Sequence, residues 1–180
     1  MELLTTRLRL EPLERRHASL LFEGLQSDSL YEYIAAPPPA SVEALRERYT
    51  RLELRRSPDG AERWLNWALF CAPEQRYIGF VQATVREGGV ATIAYVLFAD
   101  AWGAGYASEA VTRMMEHLIA DEGALELRAT VDVRNRRSIA LLERLGFELV
   151  GVRKDAERIR DQLTDEAEYR RRPARGEAPA

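Results

Sequence analysis

"DAWGAGYASEAV", Asp100 to Val111, places Gly103 and Gly105 one residue apart between an apolar run and an amphipathic one. Such a junction is either a tight turn that needs glycine or a loop that holds phosphate. Glycine tolerates positive φ and lets backbone approach a ligand with no Cβ in the way. If a helix begins near Tyr106, its unpaired N–H groups and positive dipole end point into the loop and favour a bound phosphate. A bare G-x-G does not decide between the two. The flanking elements do.

Before the loop come three runs read as strands: "WLNWALFCA" (64–72), "YIGFVQATV" (77–85) and "VATIAYVLF" (90–98). The short turns "PEQR" and "REGG" between them make an antiparallel meander. Further upstream, "LLTTRLRLEPL" alternates as one half-buried strand ended by Pro12. Residues 15–34 carry helix-spaced apolar positions, irregular around 26–29, and "APPPAS" breaks them. Ser41 then caps a helix running to Arg56, with Leu45, Tyr49 and Leu52 on one face.

After the loop, Ala107, Ala110, Val111, Met114, Leu118 and Ile119 form one helical stripe. "LELRATVDV" is a strand, and Asn135 opens a helix that Gly146 stops. "FELVGVR" and "TDEAEYRRR" are the last two strand candidates. The order predicts a single domain over residues 1–172 and a disordered tail over 173–180. Two rival phosphate motifs fail. No Gly-Lys-Ser/Thr follows the glycines, and Ser108 stands where a dinucleotide fingerprint wants a third Gly.

Composition narrows the classes. The 180 residues are 46% hydrophobic and 31% charged, as in an ordinary globular domain. A formal charge of −3 offers no electrostatic footprint for nucleic acid. The most apolar run, 90–99, is too short to cross a bilayer, and residues 1–11 do not read as a signal peptide. We therefore expect no membrane partner. Cys71 stands alone, so a reducing cytoplasm is the expected compartment. His17 and His117 have no partner at ligand spacing, so no metal is expected.

The order of elements, together with Asp100–Gly105, resembles the GCN5-related N-acetyltransferase (GNAT) superfamily. "WGAGYASEA", "TTRLRLEPL" and "NRRSIALLERLGFELVGVRK" are most similar to the branch that holds the ribosomal-protein alanine and serine N-terminal acetyltransferases, the RimJ/RimL-like branch. The resemblance implies an α/β fold of the α+β type: a mixed, mostly antiparallel sheet of six to seven strands, flanked by helices and splayed between strands four and five. It implies acetyl-CoA as cosubstrate, an amine acceptor and, by analogy, a possible homodimer.

Main-chain groups at Val96 and Leu97 would orient the pantetheine arm and thioester carbonyl. Backbone N–H groups of Trp102, Gly103, Ala104, Gly105, Tyr106 and Ala107 would hold the pyrophosphate. Asn135 would reach the pantetheine arm, although its position equally suits a helix N-cap. Arg136 or Arg137 would meet a CoA phosphate, unless they are simply solvated at the helix start. The acceptor pocket would come largely from residues 15–56. Trp64, Trp67 and Tyr77 are candidates for it as well, though strand aromatics are usually core.

Amine acetylation needs a base for the attacking amine and an acid for the departing thiolate. The tyrosine common in the family seven residues after the Asn is replaced here by Leu142, and the usual first Gln or Arg of the loop by Asp100. Ser138 occupies the position to which the serine-acetylating branch assigns the acid, and Glu157 the position assigned to its base. The expected activity is direct N-acetyl transfer in a ternary complex. The alternative is an acyl-CoA-binding module without catalysis.

Overall fold

The structure, a computed structural model, describes residues 1–173. All of the expected tail except Pro173 lies outside the described residues. Eight strands form one sheet: β1 (Leu3–Leu4), β2 (Leu8–Pro12), β3 (Glu62–Cys71), β4 (Arg76–Arg86), β5 (Val90–Leu97), β6 (Glu126–Asp132), β7 (Glu148–Ile159) and β8 (Gln162–Arg171). Their spatial order is β1-β2-β3-β4-β5-β6-β8-β7. Every neighbouring pair is antiparallel except β5 and β6.

The sheet has one strand more than the upper expectation because the N-terminal run is a hairpin. Thr5 turns it: its Oγ1 accepts the Leu8 N–H at 2.8 Å, and Leu3 pairs back against Leu10. Residues 15–34 do not make one helix either. They give α1 (His17–Leu21) and two short 3-10 turns, Gly24–Gln26 and Asp28–Glu32. Ser41 does cap α2 (Val42–Leu52), accepting the Ala44 N–H at 3.1 Å, and the helix stops four residues before Arg56.

α3 (Tyr106–Ala120) buries the apolar stripe read from the sequence, with Met114 and Leu118 fully enclosed. It shares one core with the sheet and with Leu142 of α4 (Arg136–Arg144). A second, smaller core lies under α1 and α2, where Leu13, Leu21, Leu45 and Tyr49 pack on Ala68 and Phe80. The two helical layers therefore cover opposite faces, as a sheet with two apolar faces requires.

The one parallel pair is the feature that builds the site. β5 and β6 pair only at Val90–Glu126, Ala91–Leu127 and Thr92–Arg128. Beyond Thr92 the strands part, and the sheet opens along the rest of β5. The covering connection between them is α3, with the glycine loop at its start.

Candidate active site

The glycine loop adopts the conformation that requires glycine. Gly103 and Gly105 have φ of 79° and 81°, and Gly105 is the N-cap of α3 with no side-chain cap. The first intrahelical bond here runs from the Glu109 N–H to the Gly105 carbonyl, 3.2 Å. The N–H groups of Tyr106, Ala107 and Ser108 thus have no intrahelical acceptor. A Cβ on Gly103 would meet nothing within 4 Å, so the loop's outer side is open. An uncapped helix start with an open approach is a fitting cradle for a pyrophosphate.

Three contacts hold the loop in place. The Trp102 indole donates to the Leu97 carbonyl at 2.8 Å, which ties the loop to the end of β5. Arg7, in the β1–β2 turn, donates to the Ala104 carbonyl at 2.9 Å and to Glu109 at 2.7 Å. Its guanidinium also lies 4.5 Å over the Tyr106 ring. Burial opposes ionisation of Glu109, but bonds from Thr5 and Arg7 outweigh it and hold the carboxyl below its usual range. Asp100 forms an ion pair with Arg76 at 3.0 Å, which gives the residue at that odd position a partner of its own.

On the open stretch of β5, the hydrogen bond from the Phe98 N–H to the Ile78 carbonyl (2.8 Å) sets the phase of the ladder. Alternation then turns the main chain of Tyr95 and Leu97 toward the gap and that of Val96 toward β4. Of the two expected residues, Leu97 presents its N–H to the opening, while Val96 offers its side chain.

α4 stands across the gap. Asn135 is its N-cap, its Oδ1 accepting the Ser138 N–H at 3.1 Å, which leaves its amide nitrogen for another partner. The Tyr95 hydroxyl reaches over to donate to the Ser138 carbonyl at 3.4 Å. Burial pushes that hydroxyl's pKa up, so it stays protonated. Leu142 is buried in the core. Arg136 and Arg137 are both exposed, and Arg137 lies 4.8 Å over the Trp102 ring, beside the loop.

Asn135, Ser138 and Leu142 line a cleft of about 290 Å³ that also includes four consecutive residues of β5 (Ile93–Val96) and four of β6 (Ala129–Asp132). Consecutive strand residues point to opposite faces, so this cleft passes through the sheet. Its far side is walled by Leu25, Tyr31, Leu45, Arg48, Tyr49 and Leu52 of the α1–α2 region. Trp64, Trp67 and Tyr77 are not part of its lining; Trp67 is core, and the Tyr77 hydroxyl bonds Glu11 at 2.9 Å.

Two carboxylates line the cleft, Asp132 and Glu166, cross-strand partners on β6 and β8. Burial would raise the Asp132 carboxyl, but Arg134, at 2.7 Å, keeps it below its usual range. Glu166 pairs with Arg153. Glu157 is exposed on β7 and outside the lining. Its register partner is Thr164, which alternation places on the same face as Glu166. At the tip of this hairpin Arg160 donates to the Asp28 carbonyl at 2.9 Å, so the hairpin leans onto the α1–α2 region. Sequence reasoning missed Arg7, Tyr95, Asp132 and Glu166, which no local pattern marks. Among the described residues no three His, Cys, Asp or Glu side chains gather as a metal site.

The strands parted beside an uncapped, glycine-started helix define the class. Residues 7–148 match the acetyltransferase (GNAT) domain family, and the chain belongs to that family of acetyl-CoA-dependent acetyltransferases. Among curated proteins it is similar to the uncharacterized N-acetyltransferase p20 of Bacillus licheniformis, 27% identical over 165 residues and 91% of each chain. Among solved structures it shares the fold of RimL, the ribosomal L7/L12 alpha-N-protein acetyltransferase in complex with coenzyme A. That likeness has a TM-score of 0.86 at 22% identity, covering 96% of this chain and 98% of that one. The ribosomal-protein-S5-alanine acetyltransferase from Vibrio fischeri gives 0.83 at 17% identity, with 96% of each chain covered.

Proposed function

We propose that this protein transfers the acetyl group of acetyl-CoA directly to a primary amine, a peptide N-terminus or a small amine, bound with the cosubstrate in one ternary complex. The observation that carries the reading is the cleft running through the sheet. Such a cleft offers the two substrates opposite entrances and a meeting point near Ser138, which lines it, and Leu97, which follows the lining residue Val96. Acetyl-CoA supplies an activated thioester: the amine nitrogen bonds the acyl carbon as the C–S bond breaks.

The chain's own groups bind, orient and move protons. The N–H groups from Gly103 to Ala107 hold the pyrophosphate, with Arg137 beside them; that of Trp102 already donates to the Ala99 carbonyl at 3.3 Å. The Leu97 N–H and the Asn135 amide orient the arm, and a fixed donor near the thioester carbonyl stabilises developing negative charge. The Ser138 hydroxyl protonates the departing thiolate. Glu157 takes the amine proton through water, because its carboxylate stands outside the cleft on the acceptor-facing side of the hairpin.

A thiol-release assay over peptides and small amines tests the proposal. Glu157→Gln lowers kcat by about 100-fold at neutral pH with CoA affinity intact, and Ser138→Ala lowers kcat similarly. If Glu157→Gln turns over normally and Glu166→Gln does not, the base is Glu166. Saturable CoA binding with no release on any amine would point instead to a binding module.

A further inference from the structure

Among the described residues one buried hydroxyl is left without a partner, and it lies on the acceptor side of the cleft. Tyr49 of α2 is only 2% exposed, and its hydroxyl makes no hydrogen bond. Buried polar atoms are nearly always paired, so such an orphan calls for a ligand or a cost in stability. Its neighbour in sequence, Arg48, also lines the cleft, is exposed, and has no ion pair or hydrogen bond among the described residues. Tyr31 completes the group, but its hydroxyl is already spent on the Leu25 carbonyl at 2.8 Å. Burial raises the pKa of both tyrosines, and the Arg48 charge works against that rise at each, so its guanidinium is electrostatically close to both hydroxyls.

Two carboxylates also line the cleft. They are Asp132 and Glu166, each already holding its own arginine, Arg134 and Arg153. With both carboxylates matched, Arg48 is the cation of the lining that has no carboxylate partner among the described residues. We propose that Arg48 and the Tyr49 hydroxyl form a carboxylate-binding subsite, so that the acceptor is an amine that also carries a carboxylate. This rests on the reading of the cleft as an amine-acceptor site. A guanidinium and a phenol together supply charge-assisted donors to both carboxylate oxygens. A free amino acid, through its α-carboxylate, and a peptide with an acidic second residue share this chemistry.

The test compares matched acceptors on the whole protein: free amino acids against their amides, and peptides with Asp or Glu at the second position against Asn or Gln. The readout is the ratio of kcat/KM within each pair. The expected ratio is about 10-fold in favour of the carboxylate in at least one series, and that series identifies the source. Arg48→Gln and Tyr49→Phe each bring the ratio close to one by raising KM for the carboxylate acceptor. Tyr49→Phe also melts no lower than the parent, since it removes an unpaired buried hydroxyl; a purely structural tyrosine would not combine that with lost selectivity. A ratio near one in both series, or a ratio that survives both substitutions, overturns the subsite. Failure of every amine to react overturns the acceptor-site reading itself, a result separable from the first because CoA binding is scored independently.

Discussion

Arg7 shows how one side chain outside the cleft can set its geometry. It reaches from the β1–β2 turn to the Ala104 carbonyl, to Glu109 and over the Tyr106 ring, and so holds the loop against the start of α3. Arg7→Ala is expected to raise KM for acetyl-CoA about 10-fold with little change in kcat, because the loop binds the cosubstrate away from the reacting carbon. A fall in kcat at constant KM would place Arg7 in the chemistry instead. The two glycines and Asn135 were legible in sequence, since positive φ and helix caps are local demands. The partner of Arg7 was not: Glu109 lies 102 positions away, and only the fold brings them together.

At the scale of elements, Glu11 anchors α1 to the sheet. It is buried at the end of β2 and accepts hydrogen bonds from Arg9, Arg16, His17 and Tyr77. Burial alone would raise its carboxyl, but these bonds bring it down to about 2, from an ordinary 4.5. A carboxyl depressed on folding contributes stability that is complete above pH 4.5 and lost as pH falls from there toward 2. Glu11→Ala should cost about 3 kcal/mol in urea unfolding at pH 7, and the difference from the parent should shrink by pH 3. A constant difference across that range would deny the linkage.

The same region is where sequence periodicity misled. Residues 15–34 carry helix-spaced leucines, yet α1 spans only His17–Leu21. Its walls must follow the cleft, and packing against Ala68 and Phe80 overrides local preference. The strands of the meander and the stripe of α3 were readable because each buries a face whose period is set by its own geometry.

For the molecule as a whole, the cosubstrate should bridge the ends of β5, α3 and α4. Any ligand that binds only the folded chain stabilises it, by about 2.7 kcal/mol at 100 times Kd. For a chain of this size, that is a Tm increase of about 5–10 °C with CoA. An unchanged Tm at saturating CoA would contradict the proposed cradle.

Sequence by itself determined the order of elements from β3 onward, the glycine loop and the family, because these rest on local conformation and short-range pattern. Tertiary structure alone decided where β5 and β6 part, and which charges face the opening. It brought the carboxylates Asp132 and Glu166 into one cleft lining with Arg48 and the unpaired Tyr49 hydroxyl. Those residues come from strands and helices distant in sequence, and their meeting depends on cross-strand register and helix packing, which no local pattern encodes. Asp100-Ala-Trp-Gly-Ala-Gly announces a phosphate cradle; the acceptor is chosen by side chains that only the fold assembles.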